Sequence, residues 1–111
     1  MGKMEREKGK RGEREFASMC RDAGFDVHRG RQYQGGDDSP DVKGLPGIHV
    51  EVKRTEALRL YDAMAQAKAE KGADEIPIVA HRKNDCGWLV IMTLDDFFKF
   101  YREWVIPFKE D

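Results

Sequence analysis

The sequence predicts a single α/β domain in which a central mixed β-sheet is flanked by helices, with elements in the order αβββαββα. Three observations carry this reading. Apolar residues recur at helical spacing near both ends of the chain, strict period-two alternation marks one central strand, and glycine- and proline-containing turns separate the segments between them. A chain of 111 residues can build one hydrophobic core but not two ordinary domains, so any active site must be built into that core.

The first helix rests on Phe16, Met19, Cys20 and Ala23, which recur at i, i+3, i+4 and i+7 and end near Gly24. Residues 1–8 are basic and polar and are expected to form a flexible N-terminal segment ahead of a domain spanning 9–106. Residues 25–29 read as a short strand. From Gly30 to Ser39 the chain has three glycines and no apolar residue beyond Tyr33, the composition of an exposed, mobile loop.

Residues 40–45 and 48–53 flank Pro46 and Gly47, a pairing that predicts a β-hairpin because proline presets the turn and glycine relaxes it. In the second arm Ile48, Val50 and Val52 face one way, so alternation sends His49, Glu51 and Lys53 to the other. A second helix is expected over 57–71, with Gly72 as a left-handed C-cap. Strands over 76–81 and 88–92 follow, joined by the turn-rich 83–87. Thr93 can cap the last helix, Asp95 and Asp96 suit its first turn, and Leu94, Phe97, Phe98 and Tyr101 are expected as its buried stripe. Pro107 ends it and leaves 107–111 as a tail.

Composition narrows the function classes. The 40% hydrophobic and 37% charged fractions suit a globular protein, and no apolar run approaches the roughly 18 residues that a membrane span requires. The charged start lacks the apolar stretch of a signal peptide, so a cytoplasmic location is expected, with no membrane partner. Cys20 and Cys86 form no CxxC or Cys/His pattern, and both are read as reduced thiols. A formal net charge of −1 argues against a protein that coats nucleic acid through a large positive field. Any DNA contact must be local, and the basic clusters Lys3, Arg6, Lys8, Lys10 and Arg11, then Arg29 and Arg31, are where it would fall, unless they are simply solvated surface.

The chemistry concentrates on the hairpin. Asp41 in one arm and Glu51 in the other could converge on one hard divalent cation through carboxylate oxygens. Such an ion stabilises charge on phosphoryl oxygens and lowers the pKa of an attacking water. Lys53, on the face of Glu51, could orient that water or stabilise the developing negative charge. A surface hairpin with a cross-strand ion pair is the bland alternative.

Pro40-Asp41, then Glu51-Val52-Lys53, resembles the PD-(D/E)xK nuclease motif, in which the Asp and Glu bind magnesium and the Lys assists attack. Gly9 to Glu13 followed by Arg14-Glu15-Phe16 resembles the start of archaeal-type Holliday junction resolvases and their phage relatives, which carry a catalytic Glu on this helix. At about 100° per residue Glu13 lies near the edge of the apolar stripe and Glu15 further away, so Glu13 is the better match. The resemblance continues through Gly24 to Val27, Tyr61, Gln66 and the strand at 76–80.

This resemblance implies a restriction-endonuclease-like fold and a metal-dependent endodeoxyribonuclease, active on branched DNA as a homodimer. Glu13, Asp41, Glu51 and Lys53 would be catalytic, Mg2+ would be held by Asp41, Glu51, Glu13 and the Val52 backbone carbonyl with Mn2+ able to substitute, and no organic cofactor is implied. Lys8, Lys10, Arg11, Arg29, Arg31, Arg54, Thr55 and Gln66 are the candidates for DNA contact. The rivals are a nicking or restriction-like nuclease on duplex DNA and a non-catalytic DNA-structure-binding module of the same fold. His49 reads as a packed or solvated bystander. Trp88 and the C-terminal Phe and Tyr residues read as core or dimer interface rather than base-stacking groups. The acidic end of the loop, Asp37 and Asp38, reads as soluble turn residues.

Overall fold

The computed structural model describes residues 3–30 and 41–109, with side chains from residue 7 onward. The elements are α1 (Lys3–Asp22), β1 (His28–Arg29), β2 (Val42–Lys43), β3 (Ile48–Arg54), α2 (Leu60–Glu70), β4 (Ile76–Arg82), β5 (Leu89–Ile91) and α3 (Leu94–Trp104), then a 3-10 turn, Ile106–Phe108. The expected order αβββαββα holds. The loop expected after Gly30, together with Arg31 and Pro40, lies outside the described residues.

The main sheet has the order β3-β4-β5, with β3 and β4 parallel and β4 and β5 antiparallel. Helix α1 covers one face, where Phe16 and Ala17 pack against Val50, Val52, Ile78 and Ala80. The parallel β3–β4 pair needs a crossover, and α2 supplies it on the opposite face, burying Ala63, Met64 and Ala67 against Val79. Alternation along β3 therefore sends both sets of side chains into packed layers. Val50 and Val52 go under α1, while His49 and Glu51, 4% and 3% exposed, go under α2. No helix among the described residues is long and apolar enough to cross a membrane.

Three expectations for the first two helices are corrected. Helix α1 begins at Lys3, so residues 3–8, expected ahead of the domain, continue its backbone. Lys, Glu, Arg and Met dominate that stretch and propagate a helix readily, at the cost of Gly9. Helix α2 begins at Leu60 rather than near 57, and Arg59 at its start makes no side-chain capping bond. Gly72 is not left-handed: α2 is left through an extended Lys71, and the Glu75 carboxylate accepts the Gly72 N–H at 2.7 Å.

The hairpin is also replaced. The Pro46-Gly47 turn forms, with Ile48 N–H donating to the Leu45 carbonyl at 3.0 Å and φ +83° at Gly47, the features of a type II turn. Type II turns splay their arms, because their twist opposes that of paired strands. Accordingly β2 pairs antiparallel with β1, His28 opposite Lys43 and Arg29 opposite Val42. Gly44 allows this: at φ +123° its α-carbon lies so close to the Asp26 carbonyl that a Cβ would sit 2.2 Å from that oxygen.

At the C-terminus Thr93 caps α3 as expected, accepting the Asp96 N–H at 3.1 Å. The expected buried stripe is not buried. None of the α3 residues is buried, and Leu94, Phe97, Phe98 and Tyr101 are all exposed. Among the described residues α3 packs mainly on the 3-10 turn that follows it, and most of its apolar face stays uncovered. Trp88, by contrast, joins the core against Phe16, with ring centroids 5.4 Å apart.

Candidate active site

Asp41 stands at the start of β2, and although no β2–β3 ladder forms, its Oδ2 accepts the Val52 N–H at 2.7 Å. That bond fixes the carboxylate against the edge of β3 that does not pair with β4. Because the N–H and C=O of one strand residue point to the same edge, the Val52 carbonyl faces the Asp41 side too. One residue to either side of Val52, Glu51 and Lys53 project on the α2 face, with Lys53 Nζ 3.6 Å from Glu51 Oε2.

Glu13 comes from α1 and points to the same cleft, of about 440 Å3, which Asp41, Glu51, Val52, Lys53 and Thr55 also line. The helix can come this near because Gly12 has no side chain; a Cβ there would meet the Arg54 Cβ at 2.5 Å. Glu15, on the other side of α1, instead accepts from Arg82 and from Trp88 Nε1. The expected preference for Glu13 over Glu15 is what the geometry brings to the cleft.

The electrostatics are those of crowded carboxylates. Burial, with the negative charge of Asp41 next in weight, pushes Glu51 up to about 8, against the opposing pull of Lys53. Burial also lifts Asp41 to about 6, with the Val52 N–H pulling the other way and Glu13 and Glu70 adding repulsion. Glu51 Oε1 has no hydrogen-bond partner among the described residues. Such a set is costly without a counter-charge. Oxygen donors held close together, one of them orphaned, fit a divalent cation.

The remaining predicted residues separate into groups. Gln66 on α2 accepts from Lys53 Nζ at 3.1 Å, so it touches the site directly. Arg29 donates to Glu13 at 2.7 Å and is engaged there rather than free. Arg54 is largely enclosed, donating to Asn84 and lying near Glu15 and Glu56. Thr55 closes the end of β3, its N–H on the Arg82 carbonyl. Lys8 and Gly9 line the cleft, while Lys10 and Arg11 are exposed on α1.

Glu70 was not anticipated. It lies four residues after Gln66 on α2, and Gln66 Nε2 donates to its Oε2 at 3.4 Å. The i, i+4 spacing of two polar residues beside the buried Ala63 and Ala67 was the available signal. His49, read as a bystander, is buried beside Glu51 and Glu70.

A two-helix layer arrangement with Asp on one short strand and Glu-x-Lys on the next defines a PD-(D/E)xK-type nuclease. The profile of the archaeal Holliday junction resolvase (Hjc) family matches residues 4–96, and the chain belongs to that family. It is a Holliday junction resolvase-like nuclease of a family of metal-dependent endonucleases that hydrolyse DNA phosphodiester bonds. Among solved structures, Hjc from the archaeal hyperthermophile Archaeoglobus fulgidus, a Holliday junction resolvase, has a similar fold. The TM-score is 0.53 at 22% identity, covering 77% of this chain and 72% of that one. No curated protein matches the chain.

Proposed function

We propose that the chain cleaves four-way DNA junctions as a homodimer, with Asp41, Glu51, Glu13 and Lys53 as its catalytic centre. The observation that carries this reading is the convergence of three carboxylates and one lysine, drawn from α1, β2 and β3, on a single cleft. Asp41, Glu51 and the Val52 carbonyl hold Mg2+, or Mn2+ in its place, and Glu13 supports them from α1. When bound, the ion supplies charge neutralisation at the phosphoryl oxygens and a more acidic attacking water. Lys53 Nζ faces the charge that develops on the phosphate, and Gln66 holds it there.

DNA reaches the cleft along the start of α1, where Lys8 lines it and Lys10 and Arg11 are exposed. The two-fold symmetry of a four-way junction suits two active sites in one dimer. The exposed aromatic face of α3 supports self-association, since monomers seldom leave so continuous an apolar row in water.

The test is a cleavage panel of matched four-way, flap, duplex and single-stranded DNA in Mg2+, with wild type, Asp41→Asn and Glu51→Gln. Wild type is expected to cut the four-way junction preferentially, and the variants to bind it without cutting. Folded variants that cut at the wild-type rate would remove Asp41 and Glu51 from the centre. A preference for plain duplex would replace junction resolution by a nicking activity on the same fold.

A further inference from the structure

On the α2 side of β3 lies a second group of donors, in which Glu51 of the cleavage centre meets two residues, His49 and Glu70, that the cleavage chemistry does not use. His49 Nε2 is 3.8 Å from Glu51 Oε1 and 3.9 Å from Glu70 Oε1, and one donor atom from each of the three residues lies within 4.8 Å of the others. These separations are too long for hydrogen bonds. Both His49 Nε2 and Glu51 Oε1 are buried with no hydrogen-bond partner among the described residues, and the two side chains are each 4% exposed. Two complementary polar atoms left unpaired side by side carry a desolvation cost that a shared ligand would remove.

We propose that His49, Glu51 and Glu70 bind a first-row transition ion of the Zn2+ type, at a site that adjoins the oxygen-only corner of Asp41 and the Val52 carbonyl and shares Glu51 with it. Donors about 2.0–2.2 Å from one ion stand roughly 3–4 Å from each other, so the observed spacing closes on an ion with small side-chain adjustments. An imidazole donor selects against Mg2+, which takes oxygen, and in favour of zinc and its neighbours. The other ring nitrogen, His49 Nδ1, faces Glu75 Oε1 at 3.9 Å, and that oxygen is itself anchored by the Gly72 N–H at 2.7 Å. A carboxylate behind the far nitrogen is where a ligating histidine usually finds the acceptor that fixes its tautomer, and the small adjustment that closes the site on an ion would bring Glu75 within hydrogen-bond reach. Glu51 then serves both sides: Oε1 faces His49 and Glu70, while Oε2 lies beside Lys53.

The experiment is calorimetric titration of the full chain, stripped of metal, with Zn2+ alone. Wild type is expected to bind one ion per chain. Asp41→Asn should retain it, and His49→Gln and Glu70→Gln should each weaken it at least tenfold. Circular dichroism checks folding, and Glu70, whose side chain is 35% exposed, provides a variant that does not disturb the core should His49→Gln unfold. Wild-type zinc affinity in Glu70→Gln, loss of zinc only in Asp41→Asn, or no wild-type binding below millimolar Zn2+ would each overturn the proposal. Failure here leaves the Mg2+-dependent reading standing, because that reading is decided by cleavage in Asp41→Asn and Glu51→Gln.

Discussion

Lys53 Nζ donates to Gln66 Oε1 at 3.1 Å, which ties the lysine of β3 to the helix that crosses over it. A lysine with four rotatable bonds would otherwise sample positions well away from Glu51, so α2 holds the charge where the cleft needs it. Gln66→Ala is expected to lower kcat about tenfold, equivalent to about 1.4 kcal/mol, while leaving KM for DNA unchanged. Single-turnover cleavage separates the two effects. A rise in KM at constant kcat would instead make Gln66 a contact to DNA.

The pH dependence of stability follows from Glu51 and Asp41, which are raised from 4.5 to about 8 and from 3.8 to about 6 in the metal-free fold. A carboxyl raised by folding binds more protons in the native state, so its contribution is full below the unfolded value and is lost as pH climbs through the folded one. Metal-free protein is therefore expected to lose thermal stability steadily between about pH 4.5 and 8. Glu51→Gln should flatten that slope, and a divalent cation should restore stability by an amount that grows with pH. Thermal melts across the range check both, and a Tm rising over this window would contradict the proton assignment.

Arg29 and Glu13 are joined at 2.7 Å, with side chains 28% and 14% exposed. Arg29 is thus placed to position Glu13 rather than to meet a phosphate. Arg29→Gln is expected to cost about 1–3 kcal/mol of stability, because Glu13 loses its partner in a partly buried place. It should slow cleavage while leaving the salt dependence of DNA binding unchanged. Loss of a phosphate contact would instead lower that slope by about one, which fluorescence anisotropy over a salt series would detect.

The sequence carried the elements whose signal is local. Helical spacing of Phe16, Cys20 and Ala23 marked α1, and alternation from Ile48 to Lys53 marked β3, because both patterns follow from backbone period alone. Asp41, Glu51 and Lys53 were visible because their chemistry and spacing form a motif. What it could not carry was which layer covers which face. Period-two alternation in β3 separates His49 and Glu51 from Val50 and Val52, but only the crossover of α2 reveals that the polar set is buried as well. The Pro46-Gly47 turn was local and legible; the partner of β2 was not, since it depends on Gly44 and the approach of β1. Gln66 was named only through the resemblance, and as a DNA contact rather than as the partner of Lys53, while Glu70 acts through the packing of α2, for which no motif exists.

The last relationship is the aromatic row of α3, which was legible as an apolar face but not in what would cover it. Phe97 and Tyr101 stack with centroids 5.9 Å apart, and Tyr101, Trp104 and Phe108 continue the row. Phe97, Tyr101, Trp104 and Phe108 all follow residue 96, where the family match ends. If a second copy covers it, sedimentation equilibrium should give a dimer at micromolar concentration. Replacing Phe97, Tyr101 and Trp104 together by Ser should then give a monomer. None of the three is buried in the chain itself, so the monomer should keep its fold, within the few tenths of a kcal/mol typical of surface changes. Cutting of a four-way junction should become unpaired, with the two strands cleaved independently, because two sites no longer share one substrate. A wild-type monomer with full activity would remove the dimer; a triple variant that stays dimeric would move the interface away from α3.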